Sequence, residues 1–187
     1  AAVAGFDDTP LSKSPFQATS FGSAALADQG TTALSGLTRL DASVADAYNS
    51  PGYWSALTVR GFVLDNHHNY LRDGLPINAE TAIALENKER LEVLKGVSGI
   101  QAGISSPGGL ANVVVKRPRG VDLSTVLLGW SDRGSVKAAA DIERRLGDGE
   151  ALGLRLNAAV EHLDPLVRDS QGDRHLLALA GTARFSA

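Results

Sequence analysis

The sequence contains no cysteine among its 187 residues. Thiolate metal sites and cysteine nucleophiles are therefore excluded. The absence of disulfides fits an exported protein that uses none, and it fits many cytosolic proteins equally well. No apolar run approaches the roughly 20 residues of a membrane-spanning helix, so a helical membrane protein is excluded, whereas a membrane barrel built from alternating strands is not.

An excess of positive charge is also missing. The formal net charge is -3, so no basic stripe is available and nucleic acid is not an expected partner. The sequence has no Gly-x-Ser-x-Gly elbow, no His-Glu-x-x-His and no Walker loop. We therefore expect no enzymatic activity, no catalytic residue and no cofactor. Neither an initiating methionine nor a signal peptide is present at the polar start, so we interpret the chain as a mature or trimmed form.

The sequence is organised around the stretch from Arg90 to Pro118. Its apolar residues come in short, β-branched groups such as Val113–Val115, bounded by glycines and a proline, which favours two strands over a helix. Between these groups lie Gly96, Gly99, Gly103, Gly108 and Gly109. Because glycine permits a positive φ and the close approach of a neighbouring segment, the stretch predicts a strand, a glycine-rich hinge and a second strand.

Upstream of this stretch the pattern predicts a small domain of mixed structure. Residues 1–22 are rich in proline and polar residues and predict an extended lead-in. Apolar spacing predicts one or two short helices between Ser23 and Leu40. Alternation from Leu57 to Leu64 predicts one strand, and the turn at Asp73-Gly74 predicts a hairpin. Asn78 to Leu85 fits a short helix with Asn78 as its cap.

Downstream of Pro118 the residues alternate between apolar and polar, which predicts antiparallel strands. Strands are expected at residues 124–131, 136–146, 152–160 and 175–185, with a tight turn at 147–150 and a long polar loop at 164–174. Alternation over about ten residues exceeds the usual strand of about 5 or 6 and fits a tilted strand that crosses a bilayer. On pattern alone, a soluble sheet with one dry face is an equal alternative.

The stretch from Glu89 to Pro118 resembles the segment that closes the plug domain of TonB-dependent outer-membrane receptors, the ferric-siderophore class in particular. The residues that match this motif are Glu89, Arg90, Glu92, Val93, Lys95, Gly96, Gly103, Pro107, Gly108, Gly109, Asn112, Val114, Lys116, Arg117 and Pro118. Upstream, Leu57–Phe62 and Tyr70–Pro76 match two further plug motifs in the same order. Val97 departs from the motif, which usually has proline there, and this predicts a looser hinge.

The resemblance implies an α+β fold in two parts. Residues 1–119 would form a plug domain with a small mixed β-sheet, short helices and the extended lead-in. Residues 120–187 would form antiparallel β-hairpins, the first strands of a truncated transmembrane β-barrel. A plugged barrel needs about 22 strands and this chain supplies about four, so we expect a fragment or a natural truncation. Its uncovered row of Leu152, Leu154 and Leu156 would lead either to self-association through strand edges or to repacking of that row against the plug.

The same resemblance implies a location and partners. The location would be the outer membrane of a Gram-negative bacterium, with the plug inside the barrel and the N terminus facing the periplasm. The partners would be the membrane lipid, through the barrel, and the TonB energy-transducing protein. The ligand would be a ferric siderophore.

By resemblance, three plug loops face the outside and present side chains to the ligand. Aromatic and amide groups on these loops could stack on a ferric chelate or hydrogen-bond to it without touching the iron, whose coordination shell the siderophore fills. The candidate ligand-binding residues are Tyr48, Asn49, Tyr53, Trp54, Asn66, His67, His68, Asn78 and Glu80. The alternative is that aromatic residues such as Tyr53 and Trp54 pack on the barrel wall.

Two further candidate roles concern charged side chains. His67 and His68 are adjacent on a turn and point in divergent directions, so we expect no metal site there. By resemblance, Arg60 and Lys95 occupy positions for cations that pair with barrel glutamates and hold the plug in place. The alternative is a pair within the plug, such as Arg60 with Glu92.

The sequence therefore predicts the plug part of an outer-membrane receptor for TonB-dependent uptake of a ferric siderophore. Two alternatives remain open. The chain could be a truncated receptor fragment that acts as a strand-exchanging interaction module. It could also belong to a receptor for another ligand, such as cobalamin or a carbohydrate.

Overall fold

The structure, a computed structural model, describes residues 17–48, 54–96, 103, 105–131, 134–147, 151–165 and 167–184. The chain divides into two compact units, Ala1–Val115 and Lys116–Ala187. Within the described ranges, no helix is long and apolar enough to cross a membrane. Short helices and a mixed sheet in the first unit, followed by antiparallel strands in the second, confirm the predicted α+β class.

The first unit consists of two small sheets and two short helices. Its elements are β1 (Gln17–Gly22), α1 (Ser23–Asp28), a 3₁₀ helix (Leu34–Arg39), β2 (Val44–Asp46), β3 (Leu57–Val59), β4 (Phe62–Val63), β5 (Tyr70–Arg72), β6 (Leu75–Pro76), β7 (Lys88–Lys95) and β8 (Gly109–Val115). One sheet has the order β1-β7-β8-β5-β6 and is mixed, because β5 and β8 run parallel while the other pairs are antiparallel. The other sheet has the order β2-β3-β4. β7 and β8 confirm the two predicted strands. Most of the glycine-rich hinge between them, including Val97, lies outside the described residues.

The core of the first unit lies between the helices and the two sheets. Leu37 from the 3₁₀ helix, Leu57 from β3 and Val93 from β7 are completely buried, and each such side chain contributes about 1.5–3 kcal/mol. Tyr70 joins the two sheets, because its buried hydroxyl accepts a hydrogen bond of 2.9 Å from the amide of Leu57. Burial raises the pKa of Tyr70 to about 12, so it remains a neutral phenol.

Glycine is required where β8 begins. Gly109 has a φ of +135°, and a Cβ at this position would lie 1.9 Å from the carbonyl oxygen of Leu94. A side chain would therefore separate β7 from β8 at their closest point, and only glycine fits there.

Two sequence-based predictions in the first unit are wrong. Leu57 to Leu64 is not one strand but a hairpin, since Arg60 (φ 52°) and Gly61 (φ 84°) form a two-residue turn between β3 and β4. Two positive φ values in this position are the signature of a type I′ turn. Asn78 to Leu85 is not helical. The Asn78 side chain accepts a hydrogen bond of 2.9 Å from the amide of Glu80, and this local Asx turn takes the place of a helix cap.

The second unit is a four-stranded antiparallel sheet. It consists of β9 (Leu123–Trp130), β10 (Val136–Leu146), β11 (Leu152–Leu163) and β12 (Gly172–Ala183), in the order β12-β11-β10-β9. The four strands predicted from the alternation are confirmed. β12 begins earlier than predicted, which shortens the loop before it.

The two faces of this sheet have the reverse of the polarity that a soluble sheet requires. The apolar face is exposed, with Leu128, Trp130 and Leu177 at 79%, 78% and 77% exposure. The opposite face carries charge and is buried, with Glu143 at 0% and Arg155 at 2% exposure. In water this arrangement would leave a large apolar surface uncovered, whereas in a lipid bilayer the apolar face contacts the hydrocarbon.

Candidate functional site

Three loops of the first unit carry the candidate ligand-binding residues: loop 1 (residues 47–56), loop 2 (65–69) and loop 3 (77–80). Loop 1 joins β2 to β3, and its ends are paired by a hydrogen bond of 2.7 Å from the Ala47 amide to the Ala56 carbonyl. β4 returns alongside β3, so that the Leu64 amide donates to the Leu57 carbonyl over 2.8 Å. Loops 1 and 2 therefore lie at the same end of the strands of the three-stranded sheet.

Loop 2 is shaped by the carboxylate of Asp65. Its Oδ1 accepts hydrogen bonds from the amides of His67 (2.9 Å) and His68 (3.0 Å), and it lies 2.8 Å from His68 Nδ1. The hydrogen bond from the His68 ring is the main cause of the lowered pKa of Asp65, so this carboxyl is ionised at neutral pH. Both histidine side chains are more than half exposed.

Loop 3 is held against loop 2 by backbone and side-chain contacts. The Ala79 amide donates to the Asn66 carbonyl over 3.0 Å. His67 Nε2 lies 3.4 Å from Glu80 Oε1, and Asn78 Nδ2 donates to Glu80 Oε2 over 3.2 Å. The structure thus brings five candidate residues of loops 2 and 3 into one polar cluster: Asn66, His67, His68, Asn78 and Glu80.

This polar cluster does not have the geometry of a metal site. The rings of His67 and His68 lie 6.3 Å apart with an angle of 69° between their planes. Within the part of the chain that the structure describes, no three histidine, aspartate or glutamate side chains are arranged to hold a metal ion. The cluster offers imidazole, amide and carboxylate groups for hydrogen bonding to an organic ligand.

Loop 1 contributes an aromatic pair. The rings of Tyr48 and Trp54 stack with their centroids 5.3 Å apart and 29° between their planes. Tyr48 is 59% exposed, and its amide donates to Asp46 Oδ1 over 3.1 Å. The other two candidates in this loop, Asn49 and Tyr53, lie outside the described residues. A stacked pair with one exposed ring offers a flat apolar surface for a ligand.

Asn69 is a residue of the site that the sequence analysis missed. Its side chain is completely buried, and its Oδ1 accepts hydrogen bonds from the amides of Asp65 (3.2 Å) and Ser106 (3.0 Å). Its Nδ2 donates to the carbonyl of Gly109. Asn69 therefore fixes loop 2 to the segment that leads into β8. The sequence shows only an asparagine at the end of a turn, and an exposed asparagine is equally common there.

The two predicted locking cations have partners inside the first unit. Lys95 Nζ lies 2.6 Å from Asp41 Oδ2, and both side chains are buried. Burial of Asp41 opposes its ionisation, but hydrogen bonds from Lys95 and Ser43 outweigh it and lower its pKa to about 2. Arg60 Nη2 donates to Gln17 Oε1.

The alternative partner that the sequence suggested for Arg60 was Glu92. This buried carboxylate accepts hydrogen bonds of 2.7 Å from Arg90 Nε and from Asn112 Nδ2. Pairing of Arg60 and Lys95 with glutamates of a barrel remains a prediction.

A second charged cluster lies on the buried face of the sheet in the second unit. Arg155 forms two hydrogen bonds with Asp141, of 2.9 and 2.8 Å, and Lys116 Nζ lies 2.8 Å from the same carboxylate. Glu143 Oε1 accepts hydrogen bonds from the amides of Arg119 and Gly120. These contacts fasten the segment before β9 to β10 and β11. Alternation predicted which face these residues occupy but not their pairing.

Comparison with known proteins gives a consistent family. A family model described as TonB-dependent receptor plug domain matches residues 10–110. The chain is 26% identical over 163 residues to the ferrichrome receptor FcuA of Yersinia enterocolitica. The aligned region covers 84% of the chain and 21% of FcuA. It is 31% identical over 150 residues to the catecholate siderophore receptor Fiu of Escherichia coli K12, which covers 76% of the chain and 19% of Fiu. The chain thus spans about a fifth of the length of these relatives.

Solved structures show the same fold. The ferric preacinetobactin receptor BauA of Acinetobacter baumannii matches with a TM-score of 0.82 at 22% identity, over 92% of the chain and 26% of BauA. The alcaligin outer-membrane receptor FauA of Bordetella pertussis matches with a TM-score of 0.76 at 21% identity, over 93% of the chain and 30% of FauA.

Proposed function

The chain belongs to the TonB-dependent receptor plug domain family, and from this membership we propose that it is the plug, with the first barrel strands, of an outer-membrane receptor for a ferric siderophore. In this proposal residues 1–119 act as the plug and residues 120–187 begin the barrel. The reversed polarity of the second unit supports the outer membrane as the location, because its exposed leucines require a lipid surround.

The observation that carries the proposal is the convergence of loops 2 and 3. The Asn66–Ala79 hydrogen bond and the contact between His67 and Glu80 join two loops that are separated in sequence. The result is an exposed group of hydrogen-bond donors and acceptors supported by a rigid sheet. Loop 1 lies at the same end of the three-stranded sheet as loop 2. Such a surface suits recognition of a ligand.

We propose a mechanism of recognition without bond making. The chelating groups of a siderophore fill the coordination shell of the iron, so the protein contacts only the organic periphery. The ring of Tyr48, stacked on Trp54, supplies an apolar surface, and Asn78 and His67 supply hydrogen bonds. Asn49 and Tyr53, which also belong to loop 1, are proposed to contact the ligand as well. No step requires a nucleophile or a general base.

Transport requires a partner that moves the plug. Membership of the family supports the TonB energy-transducing protein as this partner. Arg60 remains the better candidate for a lock to the barrel, because it is bound to a neutral glutamine and its guanidinium can pair with a carboxylate in two-pronged geometry. Lys95 can take this role only if the buried contact with Asp41 opens.

A second candidate function is supported by the open sheet of the second unit. β9 and β12 are its outer strands, and β12 extends over 12 residues. An uncovered strand of this length is a template for pairing with a second chain. Light scattering on the purified chain separates the two functions, since a stable dimer that binds no chelate would favour an interaction module.

A cobalamin or carbohydrate ligand would use the same loops.

Fluorescence titration tests the proposed function. The chain has two tryptophans, Trp54 in loop 1 and Trp130 on the exposed face of β9. We expect a ferric siderophore to quench Trp54 in the detergent-solubilised chain, and the gallium form, which lacks the quenching metal, to compete for the same site. Deletion of residues 49–53 should weaken binding. Unchanged affinity after this deletion would contradict a ligand-binding role of loop 1.

A further inference from the structure

Loops 2 and 3, together with the end of β2 that leads into loop 1, carry negative charge and no fixed positive charge. In the sequence from Val44 to Ala56, from Asp65 to Asn69 and from Ile77 to Glu80 there is no lysine or arginine. The same segments contain three carboxylates, those of Asp46, Asp65 and Glu80. We propose that this surface selects a siderophore complex without net negative charge, of the ferric tris-hydroxamate class, over a ferric tris-catecholate. This inference rests on the proposed function and specifies its ligand.

The carboxylates are held at the surface where a ligand would lie. The side chains of Asp65 and Glu80 are 50% and 53% exposed. The Asp46 carboxylate accepts a hydrogen bond from the backbone amide of Tyr48, the residue that carries the exposed aromatic ring. The contacts that join loops 2 and 3 therefore also concentrate their negative charge.

The two cations predicted to lock the plug do not offset this charge. Lys95 is buried against Asp41 and is neutralised by it. Arg60 lies at the β3–β4 turn, at the other end of the three-stranded sheet from loops 1 and 2, where it binds Gln17. His67 and His68 lie against the carboxylates of Glu80 and Asp65.

The two classes of chelate differ sharply in charge. Three hydroxamate monoanions balance Fe³⁺ and leave a neutral complex, whereas three catecholate dianions leave three surplus negative charges. Each carboxylate a few ångströms from a trianion weakens its binding by about three- to tenfold in water at physiological salt. A neutral complex avoids this repulsion, and its amide and carbonyl periphery can hydrogen-bond to Asn78 and His67.

The test compares two probes on the detergent-solubilised chain, a neutral ferric tris-hydroxamate and a ferric tris-catecholate. We expect the hydroxamate to bind at least about tenfold more tightly at low salt, and the difference to shrink as salt screens the carboxylates. Glu80→Gln and Asp46→Asn, which keep the shape of the side chain, should each strengthen catecholate binding by about three- to tenfold relative to hydroxamate binding. Asp28→Asn, which removes an exposed carboxylate outside the three loops, is the matched control.

The possible results separate this inference from the proposed function. Preference for the hydroxamate, with the expected response to salt and to Glu80→Gln, supports the inference. If the catecholate binds as tightly as the hydroxamate or more tightly, and Glu80→Gln does not change this, the inference is overturned and the proposed function stands. Binding of neither probe overturns both.

Discussion

Lys95 Nζ lies 2.6 Å from Asp41 Oδ2, and both side chains are only 7% exposed. The pair ties the end of β7 to the turn before β2, across 54 positions of sequence, and it neutralises a cation that family resemblance assigns to a contact with the barrel. A buried ion pair of this kind contributes more to fixing one arrangement of the chain than its modest net energy suggests.

Breaking this pair from one side should be costly. Lys95→Met leaves the Asp41 carboxylate buried without its cation, so we expect the free energy of unfolding to fall by about 3 kcal/mol. Urea denaturation followed by tryptophan fluorescence measures it. Adding Asp41→Asn to Lys95→Met should restore most of the loss, because no uncompensated charge then remains. A single variant as stable as the parent would show that the pair is not formed in solution.

The same pair predicts an acid-sensitive stability. The pKa of Asp41 is lowered in the folded state from 3.8 to about 2. A group with a depressed pKa stabilises the fold fully above its unfolded pKa, and this contribution disappears as the pH falls through the folded value. We expect a loss of up to about 2 kcal/mol between pH 5 and pH 2. The difference in unfolding free energy between the parent and Asp41→Asn should vanish over this range.

Asn69 should control the order of loop 2. Asn69→Ala removes a buried amide and leaves the amides of Asp65 and Ser106 without their acceptor, which costs about 2–3 kcal/mol. Hydrogen exchange at these two amides should accelerate accordingly. Asn78→Ala is the control, because Asn78 is exposed and its contacts are local. Equal protection of Ser106 in both variants would argue against the role assigned to Asn69.

The polarity of the second sheet can be tested with two neighbouring leucines. Leu177 lies on the exposed apolar face, and Leu176 lies on the opposite face beside Ala159. Leu177→Lys should weaken the association of the chain with phospholipid vesicles by about 2–4 kcal/mol, because it places a charge against hydrocarbon. Leu176→Lys should have a smaller effect. Vesicle flotation measures both, and equal partitioning of the two variants would contradict the assignment of the faces.

The elements that sequence predicted best are those set by local patterning. The alternation of β10 and β11 and the short β-branched groups of β7 and β8 encode these strands within a few residues, and the strands are confirmed. The strand predicted at Leu57–Leu64 was wrong because alternation continues through Arg60, and alternation does not reveal a residue with positive φ. The helix predicted from Asn78 to Leu85 was wrong, because an asparagine that can cap a helix can close an Asx turn equally well.

The site was predictable as separate loops but not as an assembly. Turn residues locate loops 2 and 3, yet their contact depends on the β5–β6 hairpin, which returns the chain so that Ala79 meets Asn66. Pairs such as Lys95 with Asp41 depend on long-range packing, and periodicity carries no information about them. Long-range pairing of this kind is set by the tertiary fold, which overrides local propensity.

Paramagnetic broadening can show whether the three loops of the first unit hold the ferric chelate. Spectra of the ¹⁵N-labelled chain in detergent are recorded with the ferric tris-hydroxamate and with its diamagnetic gallium analogue. We expect the ferric form to broaden the Trp54 indole and the signals of His67 and His68 selectively, while the Trp130 indole on β9 stays sharp. Broadening of Trp130 with unaffected loop signals would contradict it.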